Sequence, residues 1–70
     1  MRYAIVIEQA ENNFSAYVPD LPGCVATGKT LSEAEDEIRD ATVFHVEGLR
    51  EDHLPVPPGL SHVEYVEVVA

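Results

Sequence analysis

The chain has little of what secreted, membrane and nucleic-acid-binding proteins use most. Its 70 residues include one cysteine, no tryptophan and only four lysine and arginine side chains. A single cysteine excludes an intramolecular disulfide, and no apolar run approaches the roughly 20 residues that a membrane-spanning helix needs. No charged opening followed by an apolar stretch of about 7 to 15 residues marks a signal peptide. A cytoplasmic protein that does not enter the membrane is therefore expected.

Acidic side chains are abundant instead. Thirteen aspartates and glutamates against four bases give a net charge of -9. Such a charge repels polyphosphates, so no direct contact with nucleic acid is expected. The same charge attracts a small basic protein and speeds its encounter, although an acidic surface also serves solubility alone. The composition favours a basic protein partner and leaves the solubility explanation open.

The small size of the domain limits its core. A chain of this length buries only about 60% of the surface that it exposes when unfolded. Residues 1–70 are therefore predicted to form one domain that gains stability from a partner or from self-association, as a homodimer or tetramer.

Three short β-compatible segments open the chain. Tyr3–Gln9 contains four successive apolar residues, which is typical of a central strand. Phe14–Val18 alternates apolar and polar residues after a turn-forming segment, and predicts a hairpin partner. After the breaker Pro22-Gly23, the segment Cys24–Thr27 predicts the third strand of a meander.

A long helix is predicted next. Thr30 and Glu33 have the spacing of a capping box, and Leu31 opens the helix. Glu35 and Arg39 are predicted to pair as an (i, i+4) ion pair. Apolar positions recur at spacings of three and four residues and predict one stripe packed on the sheet: Leu31, Ala34, Ile38, Ala41, His45 and Leu49.

The last segment predicts one more strand. Glu51–Ser61 is proline-rich and predicts a semi-rigid connection, whereas Val63–Val69 is rich in β-branched residues and suits an edge strand. The element order is predicted to be β-β-β-α-β, which is an α+β fold. The alternating chain direction of these elements and a right-handed crossover then determine how the last strand pairs. The expected architecture is a four-stranded mixed sheet of order 3-2-1-4 with the helix across one face.

The passage from the hairpin to the helix carries the most specific motif. It comprises the sequence PDLPGC from Pro19 to Cys24, then Gly28, Thr30-Leu31 and Glu33-Ala34. This pattern resembles the signature of the HicB-like antitoxin family, and the resemblance extends over nearly the whole chain. It implies a partial RNase H-like fold that binds and silences HicA, a small basic toxin that cleaves RNA.

The chain departs from longer members of that family in one respect. Those members carry a C-terminal DNA-binding domain, and nothing in residues 1–70 matches one. A single HicB-like domain without operator binding is therefore expected. A stand-alone oligomeric regulator without a toxin, and a residual metal-dependent nuclease of the RNase H type, stay open as alternatives.

Contact residues for a partner are predicted from the helical phase and the open face of the sheet. Val43 projects nearly opposite the core stripe, and Phe44 falls on its acidic flank, where apolar side chains need an explanation. The candidate set is Asp36, Asp40, Val43, Phe44 and Glu47 on the helix, with Tyr17 on the sheet.

No catalytic, cofactor or metal site is predicted. Glu8 and Asp20 lie near strand ends, and the helix acids point outward, which does not suit a convergent two-metal site. The single cysteine and the three histidines lack the paired spacing of zinc ligands. A binding protein that is not an enzyme and acts by occlusion is the leading hypothesis.

Overall fold

Three strands and one helix form the domain in the computed structural model, which describes residues 1–70. The strands are β1 (Val6–Gln9), β2 (Phe14–Tyr17) and β3 (Val25–Gly28), and the helix α1 is Leu31–Glu51. Both strand pairs are antiparallel and the sheet order is β1-β2-β3, so β2 is central. The helix α1 does not combine the length and the apolar character that crossing a membrane requires.

The core lies between one face of the sheet and α1. Ala16 pairs with Ile7 on β1 and with Ala26 on β3, so these three small or branched side chains share the covered face. Ala16, Ala34 and Ile38 are completely buried. The hydrophobic cluster also includes Val18, Leu21, Cys24 and Val46. Burying a large apolar side chain such as Ile38 contributes about 1.5 to 3 kcal/mol.

The expected fourth strand is absent, and the sheet order 3-2-1-4 is wrong. Val63–Val69 pairs with no strand, and β1 is an edge strand that begins at Val6 rather than a central strand from Tyr3. No backbone-to-backbone hydrogen bond involves any residue beyond Leu54. Strand propensity makes a segment extended, but a strand also needs partner amides and carbonyls. Val63 instead lines a groove with Arg2–Ala4, and the residues after it are exposed.

The predicted helix start is confirmed. Thr30 has an extended backbone, and its hydroxyl accepts a hydrogen bond from the Glu33 amide at 3.1 Å. Gly28 lets α1 begin beside β3, because a side chain at this position would collide with the Ala34 backbone. Arg39 lies 3.8 Å from the carboxylate of Asp36, not Glu35, and both side chains are exposed. That ion pair contributes little to stability.

The helix ends in a Schellman motif. The Leu54 amide donates to the Leu49 carbonyl at 2.9 Å, and the His53 amide donates to the Arg50 carbonyl at 3.1 Å. His53 occupies the position that usually holds glycine, with φ at 55°. A residue with a Cβ is strained in this left-handed conformation.

His53→Gly is predicted to stabilise the domain. Glycine relieves the left-handed strain at some cost in chain entropy, so the free energy of unfolding should rise by about 0.5 to 1 kcal/mol. Urea denaturation at pH 7 measures the change. His53→Ala is the matched control, because alanine removes the imidazole but keeps the strain. Equal stability of the glycine and alanine variants would contradict the prediction.

Candidate partner-binding surface

One exposed stripe of α1 is almost entirely acidic. Its residues follow one another at spacings of three and four positions, which places them on one side of the helix. All of them are exposed: Glu33, Glu37, Asp40, Phe44, Glu47 and Glu51. We call this set the acidic stripe. The two ion pairs of the protein, Arg39–Asp36 and His62–Glu64, do not involve it. Its five carboxylates therefore have no basic side chain within ion-pair distance.

Phe44 is the one apolar residue of the acidic stripe. Its side chain is 79% exposed and borders a shallow groove between α1 and β3. Val25 and Ala26 line the opposite side of this groove, and Glu37 and Asp40 line it beside Phe44. An exposed aromatic side chain beside carboxylates suits the long, basic side chains of a partner, because arginine stacks on aromatic rings and pairs with carboxylates.

Val25 connects this groove to the uncovered face of the sheet. It is 66% exposed and is the direct cross-strand neighbour of Tyr17. Tyr17 is in turn the neighbour of Val6 on β1. Tyr17, Val25 and Phe44 thus form an exposed apolar strip, which we write Tyr17–Val25–Phe44. It runs from the open face of the sheet, around the β3 edge, to the acidic stripe.

The structure separates the six residues proposed from the sequence. Asp40 and Phe44 meet at the groove, and Tyr17 reaches it only through Val25, which sequence reasoning missed. The sequence signal for Val25 was its alternation with Ala26, which faces the core: it places an exposed valine on the other face of β3. Val43 and Glu47 instead line a depression with Met1, Tyr3 and Arg50. Asp36 faces Arg39 and lies outside the groove.

The motif from Pro19 to Cys24 forms a tight corner with two functions. The Leu21 amide donates to the Val18 carbonyl and the Cys24 amide donates to the Leu21 carbonyl, at 3.1 and 3.0 Å. Gly23 adopts a φ of 82° in this corner, a conformation that glycine tolerates without strain. Leu21 is only 1% exposed and fills the core, whereas Asp20 points to the other side of the corner.

Asp20 binds the C-terminal segment. One carboxylate oxygen accepts hydrogen bonds from the amides of Leu60, at 3.0 Å, and Ser61, at 2.8 Å. The other oxygen accepts from the Ser61 hydroxyl at 2.9 Å. The Ser61 amide is the main cause of a lowered Asp20 pKa, because it stabilises the ionised form. In the sequence this aspartate belongs to the PDLPGC motif and was considered, but not favoured, as a metal ligand.

The C-terminal segment has three further contacts with the domain. The Tyr3 hydroxyl donates to the Pro57 carbonyl, and Val56 packs against the core cluster. Gly59 passes so close to the Arg2 carbonyl that a side chain would collide with it. Residues 56–61 are therefore attached to the domain, although they form no regular element.

The residues considered for catalysis or metal binding lie apart. Glu8 is exposed on β1, whereas the Asp20 carboxylate is occupied by amide and hydroxyl donors. Cys24 is buried, with its sulfur 3.9 Å from the Thr42 hydroxyl. No three histidine, cysteine, aspartate or glutamate side chains converge to hold a metal ion.

A protein family matches nearly the whole chain. The family model described as "HicB_like antitoxin of bacterial toxin-antitoxin system" matches residues 3–68. A chain of a solved HicA3 and HicB3 toxin-antitoxin complex has 30% sequence identity and a TM-score of 0.72. That similarity covers 84% of this chain and 70% of the other.

Curated relatives occur in a phage and in cells. An uncharacterized 14.9 kDa protein of Haemophilus phage HP1 is 39% identical over 66 residues, which cover 94% of this chain and 50% of the phage protein. This chain therefore spans half the length of that relative. UPF0150 proteins of Helicobacter pylori and Thermoplasma acidophilum are 43% identical over 49 residues and 34% identical over 58 residues. Those matches cover 70% and 81% of this chain, and 68% and 84% of the relatives.

The attachment of Ser61 is predicted to depend on pH. Because the folded-state pKa of Asp20 lies below its unfolded value, the stabilisation is complete above the unfolded pKa and is lost as the pH falls through the folded pKa. The Ser61 amide proton, followed by NMR between about pH 6 and pH 2, should shift with a midpoint below the ordinary aspartate pKa. Asp20→Asn should abolish this transition. A midpoint at or above the ordinary value would contradict the prediction.

Proposed function

Because this chain belongs to the family of HicB-like antitoxins of bacterial toxin-antitoxin systems, we propose that it binds a small, basic, RNA-cleaving toxin of the HicA type and neutralises it. The observation that carries the proposal is the acidic stripe, whose carboxylates form no ion pair and which includes an exposed phenylalanine. The proposed mechanism is occlusion: the domain covers the basic surface with which the toxin binds RNA.

The charge of the stripe has a definite role in this mechanism. Like charges along one side of α1 repel one another, and a basic partner relieves that repulsion on binding. The same field steers a positively charged protein toward α1 and raises the association rate. An RNA-binding surface is complementary to such a stripe, because it is built to accept the negative charge of phosphates.

The apolar strip Tyr17–Val25–Phe44 supplies the contact that charge alone does not. Aromatic residues beside an edge strand are typical anchors of interfaces, and carboxylates around them form a polar rim. Phe44 and Val25 face the same groove, so one partner side chain inserted there touches both. The proposed binding surface is therefore this strip together with Glu37 and Asp40.

The comparisons support this proposal from two directions. The family is one of antitoxins, and the related solved chain comes from a complex of HicA3 with HicB3. We propose that this chain likewise has a HicA-type partner and that its role is binding rather than catalysis. The cytoplasm is the proposed site of action, since an RNA-cleaving toxin meets its substrate there. A stand-alone regulator without a toxin is the competing function.

Co-expression distinguishes these two functions. The toxin to use is a small basic protein encoded in the reading frame adjacent to this gene. We expect the two proteins to co-purify, and we expect the purified antitoxin to suppress the toxin's cleavage of a test RNA in proportion to its concentration. A toxin that cleaves RNA at the same rate with a molar excess of this protein would refute the proposal.

Phe44→Asp is predicted to weaken toxin binding by at least about tenfold, because it replaces an apolar anchor with a sixth carboxylate in the stripe. Isothermal titration calorimetry measures the dissociation constant, and circular dichroism verifies the helix. Leu60→Asp is a matched control, since Leu60 is likewise 79% exposed but lies in the C-terminal segment beside Arg2–Ala4. An equal loss of affinity in both variants would argue against a specific anchor.

Asp40→Lys is predicted to slow toxin association about five- to tenfold at low salt, with less effect at high salt, where screening is stronger. Stopped-flow measurement at two ionic strengths tests the prediction. Glu11→Lys changes the net charge equally but lies in the loop between β1 and β2. If both variants slow association alike, overall charge rather than the acidic stripe controls the encounter.

A further inference from the structure

The end of the chain is an exposed, valine-rich segment that belongs to no strand and carries two glutamates, Glu64 and Glu67. Residues Val63–Val69 form no backbone-to-backbone hydrogen bond and belong to no strand. Tyr65 is 93% exposed and Val69 is 98% exposed, and Val66 and Val68 are nearly as accessible. We call Val63–Val69 the tail. Exposed β-branched residues in an extended backbone are typical of a strand that pairs with another sheet.

An unpaired strand edge of matching character exists at the opposite end of the sequence. The sheet order leaves the outer side of β1 without a neighbour. Residues Ala4–Ile7 carry no charged side chain, so the centre of this edge lacks the charges that discourage pairing. The tail has seven residues and is about 23 Å long when extended. At full overlap it covers the four residues of β1 and the three residues before them, Tyr3–Ile5.

The contacts before the tail hold its start beside the first residues of the chain. Asp20 holds Leu60 and Ser61, Gly59 lies against the Arg2 carbonyl, and Val63 lines a groove with Arg2–Ala4. The tail is not part of the core cluster, and the molecule measures 49 × 26 × 16 Å. Nine extended residues reach about 30 Å, more than the two shorter dimensions of the molecule. The tail is thus long enough to lie on a neighbouring molecule.

We propose that the tail of one copy adds as a fourth strand to the β1 edge of a second copy, and that the exchange is reciprocal. Each copy has one donor strand and one acceptor edge, so two copies satisfy all four elements around a two-fold axis. Backbone hydrogen bonds provide the pairing, and the alternating tail side chains extend both faces of the sheet.

A second copy suits the tail better than a basic partner does. Its apolar residues match the uncharged centre of the β1 edge, whereas the acidic stripe that suits a basic protein lies on α1. The net charge of -9 on each chain opposes dimer formation. Contacts based on apolar side chains and backbone groups are those that overcome this repulsion. The inference does not depend on the proposed toxin.

Cross-linking of two different single-cysteine variants tests the exchange. Val6 and Val66 are the central residues of the two segments, so they lie opposite each other in either strand direction at full overlap. Both variants carry Cys24→Ala to remove the native thiol. Purified Val6→Cys and Val66→Cys proteins, mixed and oxidised, should form a mixed disulfide as the main product. Neither variant alone should form a comparable amount of dimer.

Three results would overturn the proposal. A dominant Val66→Cys homodimer would show that two tails pair with each other. An intrachain disulfide in a monomeric double variant would show that the tail folds back. A native chain that stays monomeric by mass at all accessible concentrations, with its tail protected from proteolysis only when a HicA-type toxin is added, would assign the tail to the toxin.

Val66→Pro gives a second measurement on the otherwise native chain. Alternate amides of a strand point to its neighbour, so proline at Val66 or at the adjacent Glu67 removes a hydrogen bond to β1, and the dimer dissociation constant of one of these two variants should rise at least about tenfold. Val66→Thr is the matched control, because threonine keeps the amide and the β-branch and should retain the dimer. The helical signal in circular dichroism should be unchanged in all three, since residues 66 and 67 lie outside the core cluster. Dissociation constants of both proline variants equal to that of Val66→Thr would refute pairing by the tail backbone.

Discussion

The packing of α1 against Ala16 and its neighbours determines the arrangement of every other surface of this domain. Ala16, Ala34 and Ile38 have no exposed surface, and the alanines allow helix and sheet to approach closely. Once these residues meet, the rotation of α1 about its axis is fixed. The acidic stripe then lies beside β3, and Tyr17 is left on the uncovered face of the sheet. The proposed binding surface is a consequence of this core contact.

The corner from Pro19 to Cys24 links the core to the end of the chain. Leu21 enters the core from one side of the corner, while the Asp20 carboxylate holds Leu60 and Ser61 on the other. A short stretch of sequence therefore stabilises the domain and directs the tail. This double role explains why the motif contains both a large apolar residue and a carboxylate within a turn of restricted backbone.

Patterns confined to neighbouring residues were reliable predictors in this protein. The hairpin, the third strand and the Thr30 cap depend on local alternation, turn residues and one side-chain hydrogen bond. Helical spacing placed Asp40 and Phe44 together on an acidic surface, and the structure confirms their proximity. The groove could not be predicted fully, because Val25 reaches Phe44 only through the contact of β3 with α1.

The sequence by itself determined the meander, the helix with its acidic stripe, and the family to which the chain belongs, because these follow from local periodicity and a compact motif. Only the tertiary structure decided whether the last segment pairs as a strand. Val63–Val69 has the composition of a strand, but strand pairing requires a second backbone in reach. The hydrogen bonds of Asp20, made 40 and 41 residues away in sequence, hold Leu60 and Ser61, and the tail after them pairs with no strand of its own sheet.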